Sequence, residues 1–184
     1  MYPQEDESKL LRQASNGDRS ALAEIYERYV DAVYHFMYYR TRHKTVAEDL
    51  TAEVFAQVVT AIERYEDRGL PFGAWLFRIA RARLVDYIRR QKVRDTLPLS
   101  EDTISSQVAP SPEKTLNDLY FSHLLQYLTE EQQEVVILRF VGGLSNSEIA
   151  DVIGSNANAV KQKVFRALTR LRAVLGEERG DHVV

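Results

Sequence analysis

The 184-residue sequence has no cysteine, which removes disulfides, thiolate metal sites and thiol redox chemistry. It also has no apolar run long enough to cross a bilayer, and its N-terminal residues MYPQEDESKLLRQ lack the apolar segment of a secretory signal. These two absences predict a cytoplasmic protein without membrane insertion. Neither a glycine-rich phosphate loop nor a Ser-His-Asp arrangement occurs. The four histidines, His35, His43, His123 and His182, fall without ligand spacing. No catalytic residue, metal, cofactor or small-molecule substrate is therefore expected. An apolar fraction of 45% is ordinary for a folded protein, and the length suits one large domain or two small ones.

Acid is missing from one place in particular. No Asp or Glu stands between Asn156 and Leu175, a span that carries Lys161, Lys163, Arg166, Arg170 and Arg172. A second basic segment, residues 71–95, sets seven cations against two acids, while 96–155 sets two cations against nine acids. The overall charge of −3 thus conceals two compact basic tracts in an acidic chain. That pattern suits a phosphate-binding design only if both tracts meet one ligand, and the acidic remainder discourages indiscriminate adhesion to DNA.

The C-terminal basic tract lies inside LSNSEIADVIGSNANAVKQKVFRALTRLR, residues 144–172. Ile149, Val152 and Ile153 keep helical spacing, Gly154 interrupts, and Val160, Val164, Ala167, Leu168 and Leu171 resume it. Ser145 with Glu148 has capping-box spacing, Gly154 supplies a turn, and Ser155 or Asn156 can cap the next helix. Small Ala150 and branched Val160 suit the close crossing of a helix-turn-helix. A solvated basic face is the bland alternative. Asn156, Asn158 and Gln162, beside Lys161, Lys163 and Arg166, favour base and phosphate contacts in a major groove.

Taken in order, the chain predicts a helix from Ser8 to Ser15, then one from Arg19 to about Arg40 capped by Asp18, with Leu22, Ile25, Tyr26, Tyr29, Val33, Phe36 and Met37 on its apolar stripe. Tyr34, Phe36, Tyr38 and Tyr39 could stack on bases, but at this spacing they read as core. Thr45 and Glu48 suggest a capping box opening a helix to about Arg64, with Leu50, Val54, Phe55, Val58, Val59 and Ile62 inward. Its other face shows Asp49, Ala52, Glu53, Ala56 and Gln57. Those two carboxylates could be solvated, could dock on a basic partner, or could ligate a metal, for which no histidine is correctly placed.

A Gly-Pro loop precedes Pro71, and the helix from Phe72 to about Lys92 should bury Trp75, Leu76, Ile79, Ala80, Leu84 and Ile88. Arg78, Arg81, Arg89 and Lys92 recur along it with Arg83 and Arg90 beside them. Cations led in by Tyr65, Phe72, Trp75 and Phe77 suit unpaired bases on a phosphate backbone, the alternative being that Phe72, Trp75 and Phe77 are simply core, the reading favoured for Trp75. Periodicity is then lost over 93–112, rich in Ser, Thr and Pro, which marks a linker between two domains. An amphipathic stretch, Glu113 to Leu128, follows through Leu116, Leu119, Tyr120, Leu124, Leu125 and Tyr127. Thr129 with Gln132 then caps Glu130 to Val141, whose Val135, Val136, Leu138 and Phe140 should pack on the helix-turn-helix.

The strings AEDLTAEVF, FGAWLFRIARARLVDYIRR and LTEEQQEVVILRFVGGLSNSEIADVIGSNANAVKQKVFRALTRLR, in that order, resemble the extracytoplasmic-function group (group IV) of the sigma-70 family of RNA polymerase sigma factors. The likeness runs from about Ala14 to Leu175. It implies an all-α fold of two small helical domains joined by a flexible linker. Residues 1–92 would bind core RNA polymerase and the −10 element, 93–112 would be the linker, 113–176 a four-helix unit reading the −35 element, and 177–184 a tail with no room for a further regulatory domain.

Carried over by residue, the resemblance puts Asp49 and Glu53 on the polymerase clamp helices. It puts Tyr65, Phe72, Trp75, Arg78, Arg81 and Arg83 at the −10 element, and Asn156, Asn158, Lys161, Gln162, Lys163 and Arg166 at the −35 element of promoter DNA. The implied function is that of a dissociable, non-enzymatic initiation subunit, held in many family members by an anti-sigma factor. A stand-alone helix-turn-helix regulator of duplex operator DNA, and a metal-dependent enzyme using Asp49 and Glu53, are the competing readings. The sequence departs from the family at Ala52, where Gln is common, at Ala82, where Asn is frequent, and at Asn158, Gln162 and Phe165 in the second helix of the helix-turn-helix. Those last departures point to an uncommon −35 sequence and to an exposed apolar group at Phe165.

Overall fold

The computed structural model describes residues 4–65, 71–95 and 116–180, which contain eight α-helices, one short 3-10 turn and no strand among the described residues. Contacts divide the chain into two compact units, Met1–Gln107 and Val108–Val184. Each has its own apolar interior and is described by itself.

In the first unit, α1 (Gln4–Ser15) begins a turn earlier than Ser8 and buries Leu10, Leu11 and Ala14. Asp18 caps α2 (Arg19–Thr41): its Oδ1 accepts from the Ser20 amide at 2.8 Å, the Ser20 hydroxyl at 2.7 Å and the Ala21 amide at 3.3 Å. An orphan helix N-terminus is satisfied in this way, and the anion sits at the favourable end of the helix dipole. The α2 interior face presents Ile25, Val33, Phe36 and Met37, with Tyr38 and Tyr39 also buried. Most of the aromatic crowd is therefore core, Phe36 meeting Phe77 edge-on at 5.6 Å. Tyr26, placed on the same stripe by its spacing, is 47% exposed. The Tyr29 hydroxyl donates to the Glu7 carboxylate and ties α1 to α2. Burial first, and then that carboxylate, push the Tyr29 phenol well above its usual pKa.

The capping box expected at Thr45 and Glu48 does not form. Arg42 ends α2 in the left-handed region (φ 56°), and His43 is extended (φ −131°), so α3 (Lys44–Ala61) is already under way at Thr45. A cap needs non-helical backbone, and Thr45 has none to offer. Glu48 instead lies 4.0 Å from Lys44. Leu50, Val54, Phe55 and Val58 are buried as the period requires, but Val59 is 52% exposed, while Thr51 is buried with its hydroxyl donating to the Ala47 carbonyl at 2.7 Å. A 3-10 turn, Ile62–Arg64, buries Ile62. The Pro71 carbonyl accepts from the Ala74 and Trp75 amides, starting α4 (Phe72–Asp95). Its Phe72, Ala74, Leu76, Phe77, Ala80 and Leu84 complete this core, with Trp75, Ile79 and Ile88 half-buried.

Helix α4 runs through Asp95, so Val93 to Asp95 are helical; the rest of the expected linker, 96–112, and the loop at 66–70 lie outside the described residues. In the second unit, α5 (Leu116–Leu125) is shorter than its periodicity suggests, and residues 113–115 also lie outside the described residues. Both remaining capping boxes form with reciprocal bonds, Thr129 with Gln132 on α6 (Glu130–Phe140) and Ser145 with Glu148 on α7 (Asn146–Ile153). The core joins Leu125, Leu128, Val135, Val136, Ile137 and Leu138 to Leu144, Ile149, Val152, Val160, Ala167 and Leu171. Phe140, expected there, is 57% exposed. The Leu144 amide returns to the Leu138 carbonyl at 3.1 Å, which turns the chain back on the end of α6, and Leu144 is buried while Phe140 is not. Helix α8 (Ala157–Gly180) extends into the expected tail, of which 181–184 lie outside the described residues.

Candidate nucleic-acid interface

The turn between α7 and α8 is made by Gly154, whose left-handed backbone (φ 68°, ψ 46°) closes α7. The Asn156 Oδ1 then accepts from the Ala159 amide at 2.9 Å, so Asn156 caps α8 and its oxygen is already engaged. Ala150 on α7 and Val160 on α8 are both buried, and the two helices pack on one another. At about 100° per residue, Asn158, Lys161, Gln162, Phe165 and Arg166 fall on one side of α8. They are all exposed and line a shallow depression of about 410 Å³. Thr169 and Arg172 continue the same stripe, also exposed. The geometry suits a major groove: amides near the helix start, three cations along its length, and one apolar ring between them.

Lys163 does not belong to this stripe. It lies about 140° around the helix, and its Nζ is 2.8 Å from the Glu131 carboxylate of α6. Hydrogen bonding to that ammonium, and then its charge, hold the Glu131 carboxyl below its usual range. Two turns further along the same flank, the Arg170 Nε donates to the Tyr127 carbonyl. The five cations of α8 therefore divide into Lys161, Arg166 and Arg172 on the open face, and Lys163 and Arg170, which keep solvent access but bond to groups of their own domain. Counted by charge alone the five form one group; the seven-residue spacing of Lys163 and Arg170, which puts these two on one flank, is the signal in the sequence that sets them apart.

In the first unit, Tyr65, Phe72 and Trp75 form one ring cluster, with centroids 5.1 Å apart for Tyr65–Trp75, 5.7 Å for Tyr65–Phe72 and 5.3 Å for Phe72–Trp75. Phe72 is 1% exposed and also meets Tyr29 at 5.3 Å, so its ring supports the other two from within rather than facing a ligand. Tyr65 and Trp75 keep part of their surface open. Arg78 is exposed and Arg81 half-exposed, on the side of α4 shared with Arg89 and Lys92. Arg83 stands on the opposite flank, half-buried, and its Nε donates to the Gln57 Oε1 of α3 at 2.9 Å. Gln57 borders the exposed stripe of Asp49, Ala52, Glu53 and Ala56. Its bond to Arg83, like the acceptors Glu131 and Tyr127, is a long-range contact that no local pattern announces. Among the described residues no group of three or more His, Asp and Glu side chains could hold a metal ion.

Family comparisons fall on these two units. Sigma-70 region 2 matches residues 25–94, covering most of α2 to α4, and Sigma-70 region 4 matches 118–171, covering most of α5 to α8. The ECF RNA polymerase sigma factor SigD of Mycobacterium tuberculosis is 36% identical over 176 residues, spanning 89% of this chain and 81% of SigD. The chain belongs to the ECF RNA polymerase sigma factors. Another of them, BldN of Streptomyces coelicolor, is 34% identical over 174 residues; the alignment covers 92% of this chain and 66% of BldN.

Among solved structures, CnrH in complex with the cytosolic domain of CnrY aligns with a TM-score of 0.64 at 26% identity, covering 91% of this chain and 96% of CnrH. RpoE of Bartonella quintana shares the fold, with a TM-score of 0.66 at 24% identity over 84% of this chain and 96% of RpoE. For this ECF sigma factor, the stand-alone regulator reading leaves the region 2 match over α2 to α4 without a purpose. No helix among its described residues is long and apolar enough to cross a membrane.

Proposed function

We propose that this sigma factor binds core RNA polymerase as a dissociable, non-enzymatic subunit and directs initiation at promoters carrying both a −10 and a −35 element. The observation that carries the reading is a pair of exposed cation-bearing helix faces, on α4 and α8 of separate units, in a chain whose net charge is −3. Local positive charge draws phosphate, while the acidic remainder limits binding outside the polymerase complex. On α8, Asn158, Lys161, Gln162 and Arg166 read the −35 element, with Asn156 contributing its free amide N–H₂ at the helix start. On α4, Arg78 and Arg81 hold the backbone while Tyr65 and Trp75 offer faces to unpaired bases, with Phe72 behind them. Asp49 and Glu53, exposed one turn apart on α3, dock on a basic surface of the polymerase.

Residues 1–95 form the polymerase and −10 domain, and 116–180 the −35 domain. The site of action is the cytoplasm, where transcription occurs. An anti-sigma factor is the further partner, consistent with CnrH having been solved bound to CnrY. Run-off transcription with purified core polymerase on genomic promoter fragments tests the reading. A discrete product is expected only with this protein present, and it should be lost when Lys161 and Arg166 are both changed to Glu. Promoter-dependent product unaffected by that reversal, or no product with any fragment, overturns it.

A further inference from the structure

The flank of α8 that faces its own domain carries two tethers. Lys163 reaches Glu131 in the first turn of α6, and Arg170 reaches the Tyr127 carbonyl in the turn just before α6. They sit two turns apart on one side of α8, bordering the buried Val160, Ala167 and Leu171. Their partners stand at one corner, separated by the Thr129 capping box that fixes where α6 begins. Helix geometry places Glu131 in the first turn of α6, at its positive end, where a carboxylate is favoured. Apolar contacts along the Val160 to Leu171 stripe resist separation of α8 from α6. Packing of that stripe sets which side of α8 faces inward, but apolar contacts are non-directional and tolerate a small roll of the helix about its axis. Two polar tethers at the same azimuth oppose that rotation, because turning α8 by a few tens of degrees carries both donors away from their acceptors together.

Rotation of α8 matters because its opposite side does the reading. Asn158, Lys161, Gln162 and Arg166 reach different depths of a groove according to how the helix is rolled, and bidentate base contacts tolerate little angular error.

We propose that Lys163 and Glu131, with Arg170 as a second anchor, are positioning residues that set the roll of α8 and so sharpen the choice of −35 sequence. Lys163 then contributes to promoter selection without touching DNA. The inference rests on the assignment of −35 reading to α8 and goes beyond it, because it moves one cation of that helix from the ligand to the scaffold.

Two readouts separate positioning from contact. Holoenzyme reconstituted from full-length protein and core polymerase is used to select from a promoter library randomised through the −35 hexamer. The enrichment of the best sequence over its single mismatches measures discrimination, and the salt dependence of binding to that best sequence counts phosphate contacts. For Lys163→Gln we expect discrimination to fall about twofold to fivefold, the upper part of what an exposed ion pair is worth, with the salt slope unchanged. The exchange Lys163→Glu with Glu131→Lys should recover most of the wild-type discrimination. A drop of roughly one in salt slope for Lys163→Gln, with no recovery in the exchanged pair, makes Lys163 a phosphate contact and overturns the proposal. Unchanged discrimination and slope in Lys163→Gln overturns it as well. Failure of the wild-type holoenzyme to select any −35 sequence is a different result and refutes the assignment of reading to α8. Thermal unfolding of each variant shows that it remains folded; Lys163→Arg, which keeps the charge, should behave as wild type.

Discussion

Single residues here do two jobs that composition cannot separate. Asp18 caps α2, and its carboxyl is held below its ordinary value of 3.8 by the Ser20 hydroxyl, then by the Ala21 and Ser20 amides. A lowered folded value means the native state prefers the carboxylate. The stabilisation is complete above the unfolded pKa and fades as pH falls through the lower folded one. Asp18→Asn keeps an acceptor for the amides but does not titrate in this range. Urea unfolding between about pH 5 and about pH 3 should therefore show wild type losing stability more steeply than Asp18→Asn. Parallel curves would mean that the cap does not favour the charged form.

Lys163 and Phe72 teach the same lesson from the other side. Both were legible as functional by residue type, a lysine on the second helix of a helix-turn-helix and an aromatic before a basic helix, yet both are occupied by neighbours. Glu131, which pairs with Lys163, and Tyr29, which meets the inner side of the Phe72 cluster, are far away in sequence, and no window of a dozen residues holds both halves of either contact.

At the scale of elements, legibility followed the range of the interaction. The caps at Asp18, Thr129 and Ser145 involve residues two or three apart and were readable directly; so were Leu76, Ala80 and Leu84 in the interior of α4 and Ile149 and Val152 in that of α7, whereas Trp75, Ile79, Ile88 and Ile153 keep the same period and are only half-buried. The box at Thr45 has the same spacing and fails, because the preceding chain reverses at Arg42 and starts α3 early. Phe140 and Val59 keep the period of their helices and are exposed, since whether a helix face is covered depends on the neighbour it meets.

The α7–α8 turn is the element on which the reading face most depends. A Cβ at Gly154 would meet nothing within 4 Å, so any cost of a side chain there comes from the backbone at φ 68° and not from crowding. Gly154→Ala should cost about 1–2 kcal/mol in urea unfolding, and Gly154→Asn less, because Asn tolerates the left-handed region. Equal losses for the two would show that steric contact, rather than backbone conformation, governs the position.

For the whole molecule the governing fact is segregation of charge. Seven cations against two acids in 71–95, and five against none in 156–175, stand in a chain that is acidic everywhere else. A protein built to grip DNA unaided would gain little from that acidic remainder, which weakens every phosphate contact at long range. The arrangement makes sense if polymerase delivers both faces to one promoter, so that each need contribute only part of the affinity. Counterion release gives a direct count, since each neutralised phosphate adds roughly 0.9 to the slope of log affinity against log salt. In holoenzyme, Arg166→Gln on α8 should lower that slope by roughly 0.9 and Arg78→Gln on α4, beside unpaired bases, by roughly 0.7, with the double variant close to the sum, because distant phosphate contacts on one promoter add. A double variant no shallower in slope than either single one would mean that only one of the two faces touches the promoter.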